Sequence, residues 1–444
     1  MDVASRHHTS SPVPVAADAA QESTPKPMDA LIIRGGNPLS GRVEVSGAKN
    51  AALPVMCATL LAPGVHTLRN VPQLSDTRTM AKVLEQLGAR VEFRGHACKI
   101  DTSRIQSLEA PYELVRTMRA SIYVLGPLLA RFGGARVSLP GGCAWGPRPV
   151  NLHIEGLNAM NARLEIEHGY IVGRDVHLKG THFHFDTVSV GATAQLMMAA
   201  TLAEGETVLD NVALEPDITV LGRVLVECGA KIEGLGTRRV TIHGVKQLRP
   251  IDTTIIPDRI EAATLMATVA IAGGRVTLER CEAGHMAAAI HALEQCGCEI
   301  LPGNGEVTII GPSRPRATDI VTDPYPGFPT DMQAQMMAVA SIADGVSHIT
   351  DTVYLDRFTH VPELMRLGAK IELNGNAAVI TGVEKLQGAP VMATDIRASA
   401  ALVLAALVAE GETHISRIYH LDRGYEGLEQ KLARLGADIQ RIKE

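Results

Sequence analysis

The chain has 444 residues, a formal net charge of −6 and 46% hydrophobic residues, which suits roughly two to three domains with a large core. Acidic residues number 48 against 42 basic ones, so there is no basic field to draw nucleic acid or an anionic membrane. Seven scattered cysteines do not describe a secreted disulfide framework, and a reducing, cytoplasmic location is expected. The longest apolar stretches, such as residues 399–410, fall short of the roughly twenty residues that cross a bilayer.

Residues 1–27 are rich in Ser, Pro, Ala and Thr without an apolar period, which predicts a disordered tail. They lack the basic and apolar regions of a secretory signal. Met28, where the patterned sequence begins, is a candidate true start.

From there one phrase recurs: a helix of small apolar residues, a glycine and a β-branched strand. The closing glycines are Gly64, Gly134, Gly205, Gly274, Gly345 and Gly411, at intervals of 66 to 71 residues. A second phrase, a helix stopped near Gly-Ala and followed by two strands, puts its stops at Gly88, Asn161, Gly229, Gly297, Gly368 and Gly436. Both residue types accept the left-handed conformation that ends a helix. The two registers agree on six α/β units, each reading strand, helix, strand, helix, strand, strand. The first helix of each unit is apolar on nearly every face and predicted to be buried, while the second is amphipathic.

Three such units around a pseudo-threefold axis would share their buried helices at one centre, giving two lobes of three units; an open repeat scaffold is the alternative. The halves should meet near residues 255–262, where Pro257 interrupts the pattern. The strand ahead of Lys49 is expected beside the last unit. This divides the chain into a tail at 1–27, a lobe of 28–48 plus 258–444, and a lobe of 49–257.

Deviations among the units mark candidate chemistry. Lys49 and Asn50 open the first buried helix. Either Asn50 caps the helix and Lys49 is a solvated charge, or the pair serves an anion at the helix N-terminus. Residues 138–153 form a Gly/Pro-rich loop in which Cys143 lies five residues from Arg148, a cation able to raise its thiolate fraction. Thr330 and Asp331 open another buried helix; Thr330 and Gln333 have the spacing of a capping box, and Asp331 becomes a candidate base only in the company of cations. Arg119, Arg357, Arg397 and Arg423 stand at element ends, and their forks match carboxylates and phosphates. His182, His184 and Asp186 share a strand face, which reads better as a half-buried strand than as a metal site. Cys296 and Cys298 read as buried thiols. The fingerprints of ATP, dinucleotide, zinc-protease and serine-hydrolase sites are absent from the sequence.

Taken in order, the segments SGAKNAALP, PGGC with a following RPV, PGFPTDMQAQ, DIRASA and DRGYE resemble the UDP-N-acetylglucosamine enolpyruvyl transferases, a family of 1-carboxyvinyltransferases that opens peptidoglycan synthesis. The resemblance runs from about residue 28 to the C-terminus. It implies a two-lobed inverted α/β barrel, with the site in the cleft and closure driven by the sugar nucleotide. It also implies transfer of the enolpyruvyl group of phosphoenolpyruvate to the sugar 3-hydroxyl through a tetrahedral intermediate, with no metal or organic cofactor and no obligatory protein partner. By the same resemblance, Lys49, Asn50, Arg148, Arg357, Arg397 and Arg423 contact phosphoenolpyruvate. Asn50, Arg119, Arg148, Pro149, Val150, Asn151, Leu152, Thr187, Val188, Ser189, Val190, Asp331 and Val353 contact the sugar nucleotide. Cys143 is the proton donor to the methylene carbon and the residue attacked by fosfomycin, Asp331 accepts the hydroxyl proton, and Lys49, Asp395 and Arg397 complete the catalytic set.

The chain departs from the common family pattern at Trp145, Pro147 and Asn151, and in YLDRF where FENRF is frequent. Two rivals stay open: a sister transferase acting on another alcohol, such as shikimate 3-phosphate or a nucleotide ribose, and a silent scaffold that binds a sugar nucleotide. Cys143 and the Lys49-Asn50 pair argue against the shikimate enzyme.

Overall fold

The computed structural model describes residues 29–140 and 150–443. Their apolar side chains gather into two cores. One is built from residues between Ala48 and Ile255, the other from Leu31 to Val45 together with Ile260 to Ile439. Among the described residues the strands form six separate four-stranded sheets and one two-stranded pair, and no sheet closes on itself.

Five of the six four-stranded sheets have the same plan. A short edge strand runs parallel to the strand after the inner helix, which pairs antiparallel with the second arm of a hairpin. In the third unit, for example, His182–His184 lies parallel to Glu206–Asp210, and that strand pairs antiparallel with Arg239–His243. The sheet strands follow the helix stops read from the sequence: Gly88, Asn161, Gly229, Gly297, Gly368 and Gly436 all take positive φ, between 69° and 108°. The small residue at each stop admits the left-handed cap and turns the chain straight into the sheet.

The inner helices are hidden on all sides because Ala and other small residues let neighbouring backbones approach. In Ile396–Ala406 every residue after the first is buried. In one lobe this helix, Arg259–Ala272 and Gln333–Ala340 pack against one another. In the other, Lys49–Ala58 and Leu125–Phe132 both pack on Val190–Ala200. The outer helices bury one stripe, as Ser75–Leu87 does with Met80, Ala81, Val83, Leu84 and Leu87.

Three sheets are completed by strands distant in sequence. Asp29–Arg34 inserts between Glu412–Ser416 and Asp438–Lys443, so the N-terminal strand does sit beside the last unit. The strand immediately ahead of Lys49, Leu39–Glu44, does not: it pairs parallel with Gly274–Glu279 of the fourth unit. In exchange Asp252–Thr254 leaves for the first unit and pairs with Val65–Arg69. Two strands stand where the sequence pattern predicts one: the first is an inner strand of its sheet and the second an edge strand of another.

Between these exchanged strands the chain crosses twice, at Ser46–Ala48 and Ile256–Asp258. The crossings bind each other through Ala48 N–H to Ile256 O at 2.7 Å and Asp258 N–H to Ser46 O at 2.8 Å. Gly47 leaves no room for a side chain, since a Cβ there would lie 1.8 Å from the Asn70 carbonyl oxygen. Gly47→Ala is expected to cost about 2 kcal/mol or more of stability; a parental urea midpoint for the variant would show that the crossing yields easily.

Candidate active site

Two carboxylates organise four cations, of which Lys49 and Arg397 stand in the first turns of inner helices. Lys49 begins Lys49–Ala58 and is 8% exposed. Its Nζ lies 3.2 Å from Oδ2 of Asp76, in the first turn of Ser75–Leu87. The other carboxylate oxygen accepts from Nε of Arg423 at 2.9 Å. Asp76 thereby joins Lys49 to an arginine 347 residues beyond Asp76 itself. Burial pushes the Lys49 ammonium below its ordinary value, Asp76 opposes that shift, and Arg397 and Arg423 add to it.

Asp331 is the second centre. It lies in the short 3-10 turn Thr330–Met332 ahead of Gln333–Ala340. One oxygen is 2.8 Å from Nη1 of Arg357, and the other accepts from Nη2 of Arg397 at 2.8 Å. Burial works to push the carboxyl up, but Arg397 and then Arg357 outweigh it and hold Asp331 well below the usual carboxylate range. Behind this pair Arg397 donates to the Tyr425 hydroxyl at 3.1 Å, and Gln335 donates to the same hydroxyl at 3.0 Å. Asp395 acts on the backbone of the same helix: its carboxylate caps Ile396–Ala406, accepting from the N–H groups of Arg397 at 2.6 Å and Ala398 at 3.1 Å. Arg397 thus leaves the helix from a fixed first turn.

The capping box read at Thr330 and Gln333 does not form. Thr330 gives its hydroxyl to the buried Asp351 carboxylate at 2.6 Å, a charged acceptor stronger than a backbone partner, and Gln333 is turned toward Met337. Asn50 does not cap its helix either. The N-cap position is Ala48, without a side-chain bond, and the Lys49 N–H instead points to Asp258 at 3.4 Å. Asp258 meanwhile caps Arg259–Ala272.

The remaining candidates stand at other helix starts. Arg119 opens the 3-10 segment Arg119–Val124. Val150 precedes Asn151–Ala159, whose first turn holds Asn151 and Leu152. Thr187 and Val188 lead to Ser189, whose hydroxyl caps Val190–Ala200 by accepting from the Ala192 N–H at 3.2 Å. Val353 is exposed just after Asp351. Cys143, Trp145, Pro147, Arg148 and Pro149 lie outside the described residues. The six described thiols, Cys296 and Cys298 among them, are buried; burial raises the Cys298 thiol to about 12. His182 pairs with Asp210 at 2.5 Å, and among the described residues no group of three His, Cys, Asp or Glu side chains is placed to hold a metal.

The sequence pattern does not single out Asp76, Asp258, Asp351 or Tyr425. Each acid sits where a helix start or a strand end already accounts for it, so only its partners reveal it. Asp76→Asn is expected to leave burial and two guanidiniums opposing the Lys49 charge, moving its titration to lower pH. NMR of the lysine ε-methylene, assigned with Lys49→Arg, reads the midpoint; an unmoved midpoint would show that Asp76 does not sustain that charge.

A family model described as EPSP synthase (3-phosphoshikimate 1-carboxyvinyltransferase) matches residues 33–432. A curated relative from Geobacter metallireducens, named UDP-N-acetylglucosamine 1-carboxyvinyltransferase, is 56% identical over 94% of this chain and 100% of its own length. A relative of the same name from Geotalea daltonii is 55% identical with the same coverage. Among solved structures, the enolpyruvyl transferase NikO from Streptomyces tendae superposes with a TM-score of 0.85 at 27% identity, covering 95% of this chain and all of that one. An EPSP synthase from Acinetobacter baumannii, at 17% identity, covers 94% of this chain and 100% of its own with a TM-score of 0.71 and so shares the fold. No helix among the described residues is long and apolar enough to cross a membrane. By the extent of these matches, the chain belongs to the enolpyruvyl transferase family, which includes EPSP synthase.

Proposed function

We propose that this protein transfers the enolpyruvyl group of phosphoenolpyruvate to the 3-hydroxyl of UDP-N-acetylglucosamine and releases phosphate, the committing step of peptidoglycan synthesis, in the cytoplasm. The observation that carries the reading is the Asp331 carboxylate clamped between Arg357 and Arg397, with Arg397 and Arg423 close enough to act on the charge of Lys49. Such a site offers a trianion both cations and a base. The identity to relatives of that name supports the choice of acceptor.

In this reading Lys49, Arg148 and Arg423 hold phosphoenolpyruvate, Arg357 and Arg397 complete its cradle, and Asn50 lies between donor and acceptor. Arg119, Val150 to Leu152, Thr187 to Val190 and Val353 face the sugar nucleotide. Residues 28–48 with 258–444 form one lobe and 49–257 the other, and the sugar nucleotide draws them together. The hydroxyl oxygen bonds to the central carbon of phosphoenolpyruvate as its proton passes to Asp331, and the methylene carbon takes a proton from Cys143. The bond to phosphate then breaks as a proton leaves the new methyl group to restore the Cys143 thiol, and the enolpyruvyl ether and inorganic phosphate depart.

A carboxylate gripped by two guanidiniums is a weak base, and the substrate itself corrects this. The phosphate and carboxylate of phosphoenolpyruvate compete for Arg357 and Arg397. As they draw that positive charge away, the proton affinity of Asp331 rises. The base is therefore strongest when the electrophile is in place.

Phosphate release from phosphoenolpyruvate is expected to require UDP-N-acetylglucosamine. Release with shikimate 3-phosphate or UMP instead would change the acceptor, and no release with any of the three would favour a silent scaffold. Asp331→Asn should lower turnover by about 10²- to 10⁴-fold while sugar-nucleotide binding persists; full turnover would remove Asp331 from the mechanism. Fosfomycin should add its mass to the peptide bearing Cys143, and an unlabelled peptide would withdraw the thiol's role.

A further inference from the structure

Asp351 is fully buried at the end of strand Val346–Thr350. Four donors converge on its carboxylate, and all four are neutral. Oδ1 accepts from the Thr322 hydroxyl at 2.8 Å and from the N–H groups of Val353 at 3.0 Å and Tyr354 at 2.7 Å. Oδ2 accepts from the Thr330 hydroxyl at 2.6 Å. Thr330 is the neighbour of Asp331, and Arg357 lies three residues beyond Tyr354, its N–H donating to the Tyr354 carbonyl at 3.2 Å. One carboxylate therefore ties together the two segments that carry the Asp331–Arg357 pair.

The direction of the bonds matters as much as their number. A threonine hydroxyl has one proton, a carboxylate can only accept and a guanidinium can only donate. With its proton directed to Asp351, Thr330 presents a lone pair to Nη1 of Arg357, which donates to it at 3.0 Å. That same Nη1 is 2.8 Å from Asp331. Thr322 repeats the relay: its hydroxyl donates to Asp351 and accepts the Thr352 N–H at 3.0 Å.

We propose that Asp351 is a positioning residue for the site: by accepting the Thr330 hydroxyl it makes that oxygen an acceptor for Arg357 and so sets the guanidinium against Asp331. The proposal rests on the enolpyruvyl-transfer reading for its kinetic consequence but not for its geometric one. An amide in place of the carboxylate can donate to Thr330, which reverses the hydroxyl and turns its proton toward Arg357.

The test uses the full-length chain and compares the parent with Asp351→Asn, Thr330→Val and Thr330→Ser. The primary readout is the titration midpoint of the Asp331 carboxyl carbon in ¹³C-aspartate-labelled protein without substrate, assigned with Asp331→Asn. The midpoint is expected to rise in Asp351→Asn and in Thr330→Val, because Arg357 is released, and to stay parental in Thr330→Ser. In the phosphate-release assay the first two variants should raise the KM for phosphoenolpyruvate about tenfold with a smaller change in kcat. Their double variant should be no worse than Asp351→Asn alone. A parental midpoint in Thr330→Val overturns the proposal, even if Asp351→Asn fails to fold, and so do additive losses in the double variant. Absence of phosphate release from the parent would overturn the functional reading alone, since the titration is still read.

Discussion

Positive charge held out of water is the constraint on which the rest of the structure depends. The side chains of Lys49, Arg357 and Arg397 are at most 12% exposed, and an uncompensated buried ion costs several kcal/mol. Asp76 and Asp331 answer that cost from within the protein. Each divides its two oxygens between two cations, so the cluster of Lys49, Arg357, Arg397 and Arg423 keeps a positive surplus after these two carboxylates are counted. The cluster is thus compensated enough to be buried and still carries net positive charge toward an anion. Too few acids would leave the cations repelling one another, and one acid per cation would leave nothing for a substrate.

The repeat explains how these charges reach one place. Inner helices pack on one another within each core, and the exchange of Leu39–Glu44 for Asp252–Thr254 sets the crossings immediately ahead of two of them, Lys49–Ala58 and Arg259–Ala272. Asp258 lies on this junction. It caps one inner helix and meets the backbone N–H of Lys49, which starts another. Next to it the Ser46 N–H donates to Glu261 at 3.1 Å, Lys431 donates to Ser46 at 2.7 Å and Lys431 pairs with Glu261. Burial pushes the Glu261 carboxyl up to about 7 despite Lys431. The junction and the site therefore adjoin, joined where the Lys49 N–H meets Asp258.

Much of this is legible in the sequence. Six helix stops at a regular interval can be counted because each needs a residue tolerant of positive φ, and small-residue helices announce their own burial. The strand exchange is not legible. An edge strand of three to six residues has no signature for which of two equivalent sheets it joins, and that choice is made by the open edge left elsewhere. The capping box fails for a related reason: the spacing of Thr330 and Gln333 satisfies a local rule, and a distant carboxylate satisfies the hydroxyl better.

The asymmetry between the legible and the hidden residues has a physical cause. A helix start carries partial positive charge, so Lys49 and Arg397 in first turns are locally unfavourable and stand out as residues that need an outside reason. Asp76 and Asp258 obey the same rule. A first-turn or capping acid is already accounted for by the dipole and the cap, and nothing in the sequence asks for more. Yet the misplaced cations require the well-placed acids, since Lys49 would lose its charge more readily without Asp76. Local consistency therefore hides those members of a charged site that stabilise it, and local conflict exposes those that bind. For a cleft built on helix starts, each cation that violates the dipole directs the search to an acid that does not.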